Sequence, residues 1–291
     1  MLSALARNKW AYLFLLPWFL FFTVFTLYPF LYGIAVSFTD FDAIEMDFTG
    51  LANYRDLLTD ELFGKAVVHT LQFASILIPS TVILALLIAR FLQGQRPGFQ
   101  TFTKAAFYLP TVVCEAALVI VWKWLFHPAF GLSTMICNWM GVQPVDWFGN
   151  TRISIPFIAV LILGYGVAQP IILYSAAMGN IPASYYEAAA MDGARQGTVF
   201  FGITLPLLRP TTTFILITSS IGALQIFATP YLLTGGGPNH ATTTILLLLY
   251  KSAFLFGKYG FAAAIGVVLF IAIAAISVIQ FRAMRSGEIQ Y

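Results

Sequence analysis

The stretch EAAAMDGARQGTVFFGITLP, residues 187–206, is a polar-faced segment set between long apolar runs. It carries Glu187, Asp192, Gly193 and Arg195, and Pro206 closes it. What it means for the fold depends on the runs to either side. The chain of 291 residues is 59% hydrophobic and only 9% charged, with a mean hydropathy of +0.84. Soluble domains carry about 25% charged residues. A hydrocarbon core about 30 Å thick is crossed by roughly 20 apolar residues in a helix, and several runs reach that length. Segments of about 10 residues with alternating polarity, the mark of a membrane β-barrel, do not occur. The composition predicts an all-α, multi-pass membrane protein.

Six spans are expected, at residues 12–38, 67–92, 105–126, 155–178, 211–233 and 261–281. The first apolar run, Trp10 to Phe38, exceeds the roughly 7–15 residues of a signal h-region and lacks a small-residue cleavage site after it. It is therefore expected to be the first span. Thr244 to Phe256 is shorter than about 17 residues and contains Lys251, which reads as an interfacial or re-entrant helix. Lysine and arginine gather on the cytoplasmic side of membrane helices. With the N-terminal segment 1–11 inside, the inner segments hold Arg7, Lys9, Arg90, Arg96, Lys104, Arg195, Arg209, Arg282 and Arg285. The outer ones hold Arg55, Lys65, Arg152, Lys251 and Lys258. Both termini are thus expected in the cytoplasm, and so is the stretch that opens this section.

Local chemistry gives that stretch a shape. Asn180 is expected as an N-cap, with Pro182 in the first helical turn. Ala183 to Met191 is rich in helix formers, with Glu187 in the early turns, where a carboxylate is favoured. Gly193 can take a positive φ and bend the chain. A second helical run places Val199, Phe200 and Ile203 on one face, and Pro206 and Pro210 lead into the fifth span. A solvated loop, or an amphipathic helix resting on headgroups, is the plain alternative to a ridge that docks in a partner's groove.

The order Glu187-Ala188-Ala189, Asp192-Gly193-Ala194, then Phe200, Ile203, Leu205 and Pro206 resembles the EAA loop of binding-protein-dependent ABC import permeases. The resemblance extends further. Phe48, Gly50, Leu51, Asn53 and Tyr54 are similar to a segment after span one of carbohydrate permeases. Leu109-Pro110 at the start of span three, Trp122 with Gly131, and Thr234 with Gly236-Gly237-Pro238 also fit. The terminal Gly287-Glu288-Ile289-Gln290-Tyr291 resembles MalF/UgpA-like permeases rather than MalG-like ones. The chain is thereby identified as a MalF/UgpA-like permease subunit of a carbohydrate importer in a bacterial inner membrane. The resemblance implies the type I (MetI-like) importer fold, a permease domain over 12–291 and an EAA coupling loop at 180–210.

It also implies partners: a MalG-like second permease subunit, a cytoplasmic ABC ATPase dimer, an extracytoplasmic solute-binding protein and a sugar, with lipid around the spans and no nucleic acid. ATP and magnesium would be held by the ATPase. Glu187 would pair with a base there, Gly193 would permit the bend, and Ala188, Ala189 and Ala194 would allow close backbone approach. No cofactor and no enzymatic activity are expected of this chain. Its two Gly-Lys pairs, Gly64-Lys65 and Gly257-Lys258, precede Ala66 and Tyr259 and lack the phosphate-loop glycines. His69, His127 and His240 are scattered, and Cys114 and Cys137 form no metal-site spacing.

A sugar cavity calls for aromatics and hydrogen-bonding groups. Polar residues at lipid depth usually face the protein interior. Tyr165, Gly166 and Gln169 in span four, and Ser219, Gly222, Ala223, Gln225 and Ile226 in span five, are the expected walls. This chain lacks the asparagines some relatives place in span five. Helix packing is the competing role for Gly222 and Ala223. Glu115 is a carboxylate at a costly depth and is not assigned to the path. It can line the cavity, pair with Lys123 or stay protonated. Lys123 is expected to snorkel beside Trp122 and Trp124 in an aromatic belt. Against the importer stand an ion-coupled secondary transporter, which favours broken helices and buried ionisable groups, and a membrane-embedded enzyme, for which no catalytic constellation appears.

Overall fold

The computed structural model describes residues 9–285. Arg7 and the terminal Gly287 to Tyr291 segment lie outside the described residues. Two compact units make up the chain. The first runs to Asp60 and includes Leu249–Phe270, and the second holds Glu61–Leu248 and the chain from Ile271 onward.

In the first unit, α1 (Lys9–Phe22) passes through one π-helical turn, Thr23–Leu27, into α2 (Tyr28–Val36). Its apolar side chains are largely exposed, Phe14 and Phe25 among them, as suits a surface made for acyl chains. A small hairpin follows, β1 (Thr39–Phe41) antiparallel to β2 (Met46–Phe48), with Asp40 opposite Asp47. At its tip Asp42 Oδ1 accepts the backbone N–H groups of Ile44 and Glu45, both at 2.9 Å. Those two bonds, Glu45's foremost, hold the Asp42 carboxyl below the ordinary carboxylate range.

Helix α3 (Ala52–Thr59) carries the clip of this unit. The buried Asn53 amide donates to the Ser37 carbonyl at 3.0 Å and the Thr39 carbonyl at 2.8 Å. The Tyr54 and Ser37 hydroxyls lie 2.6 Å apart. These contacts satisfy the carbonyls of Ser37, the cap residue at the end of α2, and of Thr39 at the start of β1. Gly260 is needed close by, because a Cβ there would run into the Thr39 carbonyl oxygen.

In the second unit, α4 (Glu61–Gln93) is the central rod. Its buried residues Ala66, Thr70, Phe73, Leu77, Thr81, Ala85, Ala89 and Leu92 recur every three or four positions, which places them on one face. Lipid tails are as apolar as leucine, so small residues and tight packing, rather than expulsion of water, join membrane helices. The Ala and Thr stripe lets α4 pack against α8 (Ser154–Gly166), α9 (Ala168–Gly179) and α13 (Arg209–Leu224).

The remaining elements are α5 (Pro97–Val112), α6 (Glu115–Leu125), α7 (Leu132–Trp139), α10 (Ala183–Met191), α11 (Gln196–Val199), α12 (Leu205–Leu207), α14 (Ala228–Thr234), α15 (Ile245–Tyr250) and α16 (Tyr259–Arg285). The last two cross the unit boundary. Four described helices are long and apolar enough to cross a membrane, and six spans result if each of two bent pairs counts as one.

Three of the expected spans are interrupted within their length. Residues 105–126 do not form one helix: α5 and α6 meet at 95°, with Val113 and Cys114 both extended. Pro110 lies near the end of α5 rather than opening a span, and Thr111, Val112 and Val113 after it are β-branched and poor helix formers. Residues 155–178 bend by 48° at Val167. Residues 211–233 lose helical form at Gln225–Phe227, where Phe227 has φ −140° and ψ −62°. Asn180 is no N-cap. It closes α9 through its backbone N–H, and extended Pro182 takes the cap position of α10 without a side-chain bond. The residue before a proline, here Ile181, is pushed out of the helical region, so the cap falls two positions later, at Pro182. The apolar helical stretch Ile245–Leu255 is shorter than a crossing.

Replacing Asn53 with alanine leaves two carbonyls unbonded, a loss of about 1–3 kcal/mol for each buried group left without its partner. Asn53→Asp should be no better, since an ionised carboxylate donates nothing. Thermal unfolding in detergent measures both, and an aspartate variant as stable as the parent contradicts this account of the clip.

Candidate functional site

A cavity of about 620 Å³ opens in the second unit where the three helix breaks come together. All eight residues expected from the sequence line it: Tyr165, Gly166 and Gln169 from α8 and α9, and Ser219, Gly222, Ala223, Gln225 and Ile226 from α13 and the break after it. Their contributions differ. A Cβ built on Gly166 or Gly222 would meet no atom within 4 Å, so these glycines give up volume to the cavity rather than to a neighbouring helix. Ala223 is buried in the apolar cluster that also holds Phe73, Leu77 and Val119, a packing role. Gln169 and Gln225 are exposed to the cavity and offer amides.

Thr218 and Phe227, not expected from the sequence, also border the cavity, and so does Glu115, for which lining it was one of the open alternatives. Glu115 Oε1 accepts the Thr229 hydroxyl at 2.6 Å and the Tyr165 hydroxyl at 3.1 Å. These two hydroxyls are themselves 3.2 Å apart. Trp122 stacks on Tyr165, with ring centroids 5.9 Å apart and planes inclined at 27°. Glu115 is the first residue of α6, where the free N–H groups of a helix start favour negative charge. Lys123 takes no part: its Nζ donates to the Leu232 carbonyl at 3.3 Å, and among the described residues no ion pair joins it to Glu115. Trp122 faces inward on Tyr165 and so leaves the expected belt, while Trp124 remains exposed against Phe130. The signal for Glu115 was present, since it is the sole acid between Glu61 and Asp146. Thr229 had none, because a threonine in a helix is common.

The polar loop forms a second site. Helix α10 ends in a Schellman motif: the Ala194 N–H donates to the Ala189 carbonyl at 2.9 Å and the Gly193 N–H to the Ala190 carbonyl at 3.1 Å. Gly193 has φ +67°, the left-handed value this closure demands. A groove of about 500 Å³ is lined by Tyr185, Ala188, Ala189, Asp192 and Ala194, together with Ile203. Glu187 and Gly193 are exposed and do not line it, and Leu205 and Pro206 lie in the half-buried turn before α13. Phe200 faces a smaller cleft beside Arg90, whose guanidinium lies 5.9 Å from its ring centre. The Tyr186 and Thr204 hydroxyls, 3.3 Å apart, join the two arms of the loop.

Among the described residues, no cluster of three or more His, Cys, Asp and Glu side chains could hold a metal, and Cys114 and Cys137 are free thiols.

Comparison with known proteins places this geometry. Residues 63–286 match the family described as "Binding-protein-dependent transport system inner membrane component". The multiple sugar-binding transport system permease protein MsmF of Streptococcus mutans is 34% identical over 97% of this chain and 98% of its own length. The trehalose/maltose transport system permease protein MalF of Thermococcus litoralis is 34% identical, over 83% and 81% respectively. A chain of a bacterial alginate ABC transporter, solved in complex with an alginate pentasaccharide-bound periplasmic protein, superposes with a TM-score of 0.85 at 22% identity. That match covers 100% of this chain and 99% of the other.

Removing the Thr229 hydroxyl, fully buried in the structure, should destabilise the fold by about 1–2 kcal/mol through its lost bond to Glu115. Thr229→Val is expected to unfold at a lower temperature in detergent, and Thr229→Ser to recover most of the loss. Equal midpoints for valine and threonine would show that the bond contributes nothing.

Proposed function

We infer the role of this chain from its cavity and its lineage together: it belongs to the inner-membrane components of binding-protein-dependent transport systems. It is the permease subunit of an ATP-driven importer for a sugar or oligosaccharide, a multi-pass membrane protein. The observation that carries this reading is the cavity at the helix breaks. It combines amides and hydroxyls, from Gln169, Gln225, Ser219 and Thr218, with the aromatic surfaces of Tyr165 and Phe227. A sugar needs both, hydrogen bonds for its rim and an apolar plate for its face. The sugar-transport names of the curated relatives support the same class.

The finer assignment is as follows. The loop lies on the cytoplasmic face with both termini, a placement supported by the excess of lysine and arginine on that side. A cytoplasmic ABC ATPase dimer binds ATP and magnesium and receives the loop, with Glu187 exposed to pair with a base and the alanine-lined groove open to a close-fitting ridge. A MalG-like second permease subunit completes the pore, and an extracytoplasmic solute-binding protein delivers the sugar. The loop joins α9 to α13, and these two helices carry Gln169 and Ser219. Displacing the loop therefore moves both cavity walls. The Schellman closure, the Tyr186–Thr204 contact and the Arg90–Phe200 contact hold the loop stiff enough to transmit the push.

Gly193→Pro fixes φ near −65° and removes the N–H that closes α10. The reconstituted complex should still assemble, while stimulation of its ATPase by sugar-loaded binding protein falls at least tenfold; undiminished stimulation would exclude the docking role. Gln169→Ala removes one hydrogen bond from the path, which corresponds to about a 3- to 10-fold weaker apparent sugar affinity. Transport kinetics in proteoliposomes check this, and unchanged kinetics with normal complex yield would remove Gln169 from the path.

A further inference from the structure

We propose that Glu115, seated by Thr229 and Tyr165, makes the translocation cavity select uncharged sugars and reject anionic ones such as uronates, sulfonated sugars and sugar phosphates. The proposal rests on the permease reading above and names the substrate class within it.

Three observations carry it. First, Glu115 is the only acidic side chain among those lining the cavity, which include no lysine, arginine or histidine. From this chain an anion entering there meets one carboxylate and no counter-charge. Like charges brought together in a partly dehydrated space repel far more strongly than in water. Second, the carboxylate is held in place. Two hydroxyls donate to Oε1 from α8 and α14, and the Trp122–Tyr165 stack stiffens one of those donors. A carboxylate so tethered cannot swing out of the path when an anion approaches. Third, Oε2 has no hydrogen-bond partner among the described residues, and Glu115 is exposed to the cavity. It remains an acceptor for the hydroxyl groups that every neutral sugar presents. The same atom thus favours a hydroxyl rim and disfavours a carboxylate, sulfonate or phosphate at that point. Specificity is here a difference between two affinities, with a repulsive element built in.

The charge of the cavity can be read without knowing the sugar. In the assembled complex, with Cys114→Ser and Cys137→Ser as background, Ser219→Cys supplies a single thiol on the cavity wall. Its reaction rates are measured with two methanethiosulfonates, one bearing a neutral glucosyl group and one an anionic sulfonatoethyl group, each divided by the rate for mercaptoethanol. With Glu115 in place the neutral reagent should be favoured at least tenfold. Glu115→Gln, which keeps the shape and an acceptor oxygen, should lower that preference at least fivefold, and Glu115→Asp should retain most of it. A purely structural role for Glu115 predicts the same ratio in the glutamine variant, and that result overturns the proposal. A parent ratio equal to that of mercaptoethanol overturns it alone, whatever the variants do. Because neither ATP nor binding protein enters the measurement, a complex inert in transport yet strongly charge-selective would count against the permease reading only.

Discussion

A backbone N–H or C=O inside a bilayer has no water to bond, so a helix can break at that depth only where something else satisfies the freed groups or where the break borders a hydrated cavity. The second unit obeys this constraint at each of its three breaks. At Val113–Cys114, the Val113 N–H turns back to the Pro110 carbonyl at 3.2 Å, and the Cys114 carbonyl accepts from Ala117 and Leu118. At Val167, both neighbouring helices keep their ladders, with the Val167 N–H on the Leu163 carbonyl and the Ile171 N–H on the Val167 carbonyl. At Gln225–Phe227, the Ile226 carbonyl is met by the hydroxyl of Thr244 at 2.7 Å. The breaks then converge on one cavity, and the residues beside them, Glu115, Gln169 and Gln225, supply its polar groups.

That convergence depends on α4. Its stripe of alanine and threonine lets α8, α9 and α13 approach closely, and further polar contacts fasten the assembly. The Tyr174 hydroxyl donates to Thr212 at 3.1 Å between α9 and α13, and the Gln280 amide donates to Ser220 at 2.7 Å between α16 and α13. Thr70 on α4 accepts the Ile245 N–H at 3.0 Å, which fixes the start of the short helix α15. The two helices that carry the cavity walls are also the two that leave toward the polar loop.

Much of the site was legible in advance, for reasons that differ from residue to residue. Gln169 and Gln225 stand out because an amide in an apolar run must find a partner, whatever that partner is. Gly193 stands out because a glycine after a run of helix formers marks a left-handed closure. Glu115 was visible as a lone acid, but its role was not: whether it lined the cavity or paired with Lys123 depended on which way α6 pointed after its bend. Trp122 was misplaced for the same reason, since the 95° turn directs it at Tyr165 instead of the membrane boundary. Asn180 was misjudged because its capping chemistry was read without the preceding helix, which uses Asn180 to end.

From the sequence by itself came the membrane class, the apolar runs and the polar loop with its glycine hinge, and, through the resemblance of its motifs, the choice of a permease family. The first three follow from length and local composition, since a run of about 20 apolar residues and a left-handed glycine are properties of neighbouring residues. Only the tertiary structure decided where the runs break, that the breaks meet, and that Glu115 sits with Thr229 at their meeting point. The bond between those two side chains joins residues 114 positions apart, and the bond that repairs the break at Ile226 comes from a threonine beyond the next loop. Partners so distant in sequence leave no local signal, because the free energy that holds them is set by packing three helices against α4 and not by any one segment.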